Sequence, residues 1–325
     1  MQTLAPFRLA PFFSPRVWGR PNLRPWYPET GTSELVGEAW LTGPDSLIET
    51  GPFTGRTLAS VVAEHPALLN PAHATAAPEF PLLIKLLFPN DKLSVQVHPD
   101  DAQAHAIGQP RGKTECWYVL EAEPGATVAL GLKPNVTLEA LAASAADNTM
   151  EDLIEQVPVS VGDMVFVDAG TIHAIGPGVV LLETQQTSDT TYRLYDYGRP
   201  RPLHLEDGLK VLRTHTDAGK VTPQSIAQQN GTPAYTRLIA QKYFTVDRID
   251  VPARINIDAS STTALPYKPG LSSCLITLSG TGILHTDAGS VELQPSKAVL
   301  IPATSTNLRV ESTEPLALVL CTEPA

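Results

Sequence analysis

The sequence predicts a mainly β protein: a duplicated double-sheet β-sandwich with a few short helices between the halves. Three observations lead there. Thirty prolines and twenty-two glycines cut the 325 residues into short segments. Most of those segments are apolar, β-branched runs bounded by turn signals, the pattern of strands rather than long helices. The order of segments in the first half also recurs in the second.

Taken in chain order, the strands expected in the first half are Leu82–Phe88, Leu93–His98, Glu115–Leu120, Ala126–Leu130, Asp163–Val167 and Gly178–Gln185. Helical patches are expected at Leu58–Ala63, at Leu138–Val157 and at Leu205–Leu212; the middle one is alanine-rich and carries Leu138, Leu141, Leu153 and Ile154. Residues 218–233 are rich in Gln and Thr with two prolines, which reads as a linker. The expected organisation is therefore an N-terminal domain over 1–217 with a helical insertion, a linker over 218–233, and a C-terminal domain over 234–325.

The repeat is visible residue by residue. Val165–His173 can be laid on Val299–Asn307, and Glu115–Leu120 on Ser273–Leu278. Apolar positions keep their character in both copies, while His173 meets Asn307 and Glu115 meets Ser273. The second copy is read as a degenerate one, without the polar groups that could form a site.

Composition narrows the function. Charged residues make up 18% and hydrophobic ones 42%, as in a globular chain. A net charge of −11 speaks against general affinity for nucleic acid or an anionic membrane. Cys116, Cys274 and Cys321 are three in number without metal-type spacing, and they read as reduced core residues. Met1–Phe7 lacks a basic stretch followed by a long apolar one, and a cytoplasmic location is expected.

Gln96, His98, Glu115 and His173 are the most informative residues. Successive strand residues point to opposite faces, so Ser94, Gln96 and His98 share one face while Leu93, Val95 and Val97 share the other. A polar row on an apolar strand makes a cavity wall. Two imidazoles, a carboxylate and an amide oxygen suit a divalent first-row ion, zinc above all, with room left for water or substrate. Spacing alone leaves a second reading open, in which both histidines are hydrogen-bonded core residues.

Longer blocks add a resemblance. They are Leu93–Asp101 (LSVQVHPDD), Gly112–Leu120 (GKTECWYVL), Gly170–Gly176 (GTIHAIG) and Glu183–Arg199 (ETQQTSDTTYRLYDYGR). Over essentially its whole length the chain resembles type I mannose-6-phosphate isomerases (phosphomannose isomerases) of the short bacterial form. The strand, glycine turn and terminal His pattern is similar to the cupin form of the jelly roll. Asp168 and Arg20 stand where such proteins usually have proline and glycine; neither touches a proposed ligand.

The resemblance implies one Zn2+ per chain held by Gln96, His98, Glu115 and His173. It implies a catalytic role for Arg193, with Lys113 and Glu183 in the same cavity, and it sets Ser94 and Arg199 at the substrate phosphate. The implied partner is a small hexose phosphate, with no nucleic acid and no membrane; oligomeric state is left open. Moving a proton between C2 and C1 through an enediol needs a tuned base and positive charge for the oxygens. Lys113 and Glu183 are the base candidates, since a guanidinium stays protonated. Arg193 could otherwise pair with Asp189 or Asp196, and Glu183 could instead orient His173 or Arg193. Two other classes stay open: a non-catalytic metal-dependent sugar-phosphate binding cupin, and an iron-dependent cupin oxygenase using His98, Glu115 and His173.

Overall fold

Four antiparallel sheets stack in order of five, seven, seven and four strands in the computed structural model, which describes residues 4–70, 78–228, 234–253 and 262–323. The first seven-stranded sheet runs, edge to edge, Gly219–Val221, Met164–Val167, Glu115–Ala122, Val179–Gln186, Leu82–Leu87, Tyr27–Trp40 and Phe12–Leu23. The second runs Phe7–Leu9, Ala298–Ile301, Ser273–Ser279, Leu316–Thr322, Thr245–Val251, Tyr235–Ala240 and Gln224–Ile226. The sheets correspond position by position. Glu115 lies opposite Val167, and Ser273 opposite Ile301, in the same register expected from the sequence repeat.

Alternation decides what each strand buries. Cys116, Tyr118, Ile84 and Leu86 point away from the first sandwich and pack against Cys274, Ile276, Val319 and Cys321 of the second large sheet. All three cysteines are free and buried there. The opposite face of the first large sheet puts Trp117, Val119 and Leu181 against Val128, Leu130 and Ile175 of the five-stranded sheet. That smaller sheet runs Tyr192–Tyr195, Val95–Val97, His173–Ile175, Thr127–Leu132 and Ile154–Pro158. In the second sandwich the corresponding space is filled by Leu275, Leu284, Leu293, Val310 and Leu320.

Two sequence expectations need correction. The helix expected over Leu138–Val157 stops at Asp147, because Asn148 adopts the left-handed conformation (φ 56°) that ends a helix. A short 3-10 turn over Met150–Leu153 follows, and Ile154–Pro158 then pairs with Thr127–Leu132 as a strand. The stretch expected as a linker carries two strands: Gly219–Val221 extends the first large sheet and Gln224–Ile226 the second. The rest of it, residues 229–233, lies outside the described residues. Phe7–Leu9 joins the second large sheet beside Ala298–Ile301, so the N-terminal segment supplies an edge strand to the sheet of the C-terminal half. No described helix is long and apolar enough to cross a membrane.

Candidate active site

The site lies inside the first sandwich, and cross-strand pairing builds both of its walls. On the five-stranded sheet Arg193 stands opposite Gln96, and Gln96 opposite His173, so three polar side chains form one row. On the large sheet a second row runs Trp117, Glu183, Lys85 and Trp40. Glu115 sits two residues before Trp117 on the same face. Lys113 arrives from the loop before that strand, where its N–H donates to the Pro99 carbonyl (3.0 Å). A Cβ at Gly112 would come within 2.4 Å of the Asp100 carbonyl carbon, so this crossing admits only glycine.

His98, Glu115 and His173 converge with ligand atoms within 4.8 Å of one another, all buried. The Nδ1 of His98 lies 3.0 Å from the Thr190 carbonyl, and that of His173 lies 2.9 Å from the Thr171 carbonyl. A carbonyl only accepts, so each Nδ1 is the protonated nitrogen and each Nε2 keeps its lone pair. Those Nε2 atoms face Glu115, at 3.6 Å from Oε2 and 3.5 Å from Oε1. His173 Nε2 has no hydrogen-bond partner among the described residues despite its burial, an arrangement that costs free energy unless a ligand uses the lone pair. Burial first, then the charge of Lys113, holds His98 well below its ordinary pKa, and burial pushes His173 down to about 4. Both are neutral donors at physiological pH. The Lys113 ammonium lies 3.0 Å from both Glu115 Oε2 and His98 Nε2, so the cluster already draws a cation. This donor set fits a divalent metal.

Beside the cluster lies a cavity of about 440 Å³ whose lining includes Ser94, Gln96, Lys113, Glu183 and Arg193. Glu183 is held 3.5 Å from Lys85 Nζ and accepts from Trp117 Nε1 (3.3 Å). Burial, and then the Glu115 charge, raise its pKa above that of an ordinary carboxyl. Burial works against the Lys113 ammonium, but Glu115 and Glu183 outweigh it and keep the lysine charged. Arg193 forms no ion pair among the described residues; its Nη1 donates to the Pro202 carbonyl (2.9 Å) and its buried Nε has no partner. The expected alternative of a salt bridge to Asp189 or Asp196 is thus not what the structure shows.

Outside the His98–Glu115–His173 cluster, which lies beside the cavity, Arg199 is the one expected site residue that is absent from the described lining. Its guanidinium is bound to Asp196 Oδ1 (2.9 Å), to the Lys92 carbonyl (2.7 Å) and more loosely to Asp91 (3.6 Å). Four charged residues that the sequence reading missed line the cavity instead: Arg16, Glu38, Lys85 and Arg201. Lys85 gave a signal, as a single charge in the otherwise apolar run Leu82–Leu87. It is 4% exposed and sits over the Trp40 ring, 4.8 Å from its centroid. The lining carries five cations, with Lys113 and Arg193 completing the set, against the carboxylates of Glu38, Glu183 and Asp189. An acidic chain has concentrated positive charge at one place.

A family model described as "Phosphomannose isomerase type I, catalytic domain" matches residues 7–137. A mannose-6-phosphate isomerase from Streptococcus mutans is 34% identical over 299 residues, covering 89% of this chain and 90% of that protein. The chain belongs to the type I phosphomannose isomerase family. A mannose 6-phosphate isomerase of known structure from Bacillus subtilis is 27% identical and superposes with a TM-score of 0.84, covering 97% of this chain and 99% of its own. A phosphomannose isomerase variant from Salmonella typhimurium, at 16% identity and a TM-score of 0.74, has the same fold. The family resemblance and the cupin-type, mainly β fold expected from the sequence are thereby both met.

Proposed function

We propose that the protein interconverts mannose 6-phosphate and fructose 6-phosphate by proton transfer through an enediol, with zinc held by Gln96, His98, Glu115 and His173. The observation that carries this reading is the convergence at one site of a neutral His–Glu–His donor set with, in the adjoining cavity, a carboxyl of raised pKa and the cations Lys113 and Arg193. Family membership favours an isomerase over the oxygenase and binding-module alternatives. When bound, zinc would supply positive charge for the hydroxyl and carbonyl oxygens of the open-chain sugar.

The remaining work falls to side chains. Glu183 takes the C2 proton and returns it to C1: its raised pKa makes it a stronger base than a solvated carboxylate, and its place between Lys85 and Trp117 fixes its direction. Lys113 stays charged and serves as a hydrogen-bond donor to substrate oxygen rather than as a base. Arg193, which lines the cavity and keeps its Nε without a partner among the described residues, stabilises charge growing on the enediolate. Gln96 stands between Arg193 and His173 in the sheet and links the two regions. Formation of fructose 6-phosphate from mannose 6-phosphate in a coupled assay on the purified protein tests the reading. No turnover with zinc supplied would refute it.

A further inference from the structure

The substrate phosphate must sit at a part of the cavity away from the reacting carbons, because four bonds of sugar chain separate C2 from C6. Resting on the isomerase reading above, we propose that Arg16 and Arg201 grip this phosphate, and that Arg199 serves only to hold their framework.

Three observations support the assignment. Both arginines line the same cavity as Arg193. Each is held as a fixed fork by a buried carboxylate: Arg201 Nε and Nη2 donate to Asp196 Oδ2 and Oδ1, both at 2.6 Å, and Arg16 Nε and Nη2 donate to Glu38 Oε1 and Oε2, both at 3.0 Å. Asp196 and Glu38 are 2% and 8% exposed, so neither fork is free to swing. Arg201 Nη1 has no partner among the described residues, while Arg16 Nη1 reaches only the Pro15 carbonyl at 3.1 Å. Finally, the guanidiniums lie near one another: burial first, and then Arg201, with smaller contributions from Arg199 and Arg16 and against the opposing charge of Asp196, depress the pKa of Arg193. A dianion placed among these groups relieves that repulsion, and arginine suits it through paired charge-assisted hydrogen bonds. Arg199 supports the arrangement from outside, sharing Asp196 with Arg201.

Arg201→Ala and Arg16→Ala should each raise the KM for mannose 6-phosphate about 10- to 100-fold, the loss typical of a hydrogen bond to a charged group. The kcat should change by less than about threefold and the metal content not at all. Arg201→Lys keeps the charge without the fork, should show an intermediate KM, and covers the case that loss of one partner of the buried Asp196 in the alanine variant destabilises the fold. Inhibition or calorimetric binding by inorganic phosphate should weaken in parallel. That measurement needs no turnover, so an inactive wild-type protein that still binds phosphate through Arg201 would sink the isomerase reading and keep the clamp. Unchanged KM and unchanged phosphate binding in Arg16→Ala, Arg201→Ala and Arg201→Lys would overturn the clamp even if the wild type is a fully active isomerase. A loss confined to Arg199→Ala would return the phosphate to that residue.

Discussion

Replacing Glu183 with glutamine separates its proposed chemistry from its packing. The amide has the same shape and can still accept from Trp117 Nε1, now 3.3 Å from Oε2. It cannot take a proton. Removal of a positioned general base typically costs a factor of roughly 10² to 10⁴ in turnover, equivalent to about 3–5 kcal/mol of barrier. Folding is affected less. The Lys85 ammonium loses its 3.5 Å partner, but Glu38 still faces it, so the cost should stay below the ~3–5 kcal/mol expected for a wholly abandoned buried charge. The carboxyl pKa of Glu183 is raised, so in the wild type kcat falls as pH drops through that raised value, and the glutamine variant should lack this acid limb. A coupled isomerase assay across pH, with metal analysis and a thermal melt on the same preparation, reads all three quantities. Wild-type kcat in Glu183→Gln, or an unchanged acid limb, would refute the assignment and leave Glu183 as a group that orients its neighbours.

Other expectations follow from the same geometry. Arg193→Ala should retain metal and lose roughly two to three orders of magnitude in kcat, as loss of one charge partner of the transition state does. Glu115→Gln should instead lose metal during dialysis, because a neutral amide replaces the only carboxylate of the His98–Glu115–His173 cluster. Metal-free protein should melt at progressively lower temperature as pH falls from about 6.5 towards about 4. The sign follows from linkage: His98 and His173 are depressed in the fold, so the unfolded chain binds protons first and stability is lost on acidification. A melting temperature that rises over that range would contradict the buried, neutral state of the two rings.

Much of the site was legible because strand alternation is strict. Ser94 and Gln96 fall on the cavity face, where period-two spacing puts them, whereas the meeting of Glu115 and His173 with His98 across separate strands was implied by the family resemblance and not by spacing. The repeat was equally legible, since Glu115–Val167 and Ser273–Ile301 occupy equivalent rungs of the two large sheets. Long-range pairing was not. Arg16, Lys85 and Arg201 come from separate segments, and only the sheet order brings them to one cavity. Arg199 and Arg201 are two residues apart, and nothing local says that Asp196 binds both while only one reaches the cavity. Leu138–Val157 reads as one helix by composition, and it took the pairing of Ile154–Pro158 with Thr127–Leu132 to divide it.

Metal stoichiometry measured together with activity is the most direct test of the central claim. Purified protein should carry one zinc per chain, lose its isomerase activity on chelation and regain it on adding zinc. Full activity in chelated, metal-free protein, or metal that persists in a His98→Ala/His173→Ala double variant, would contradict it.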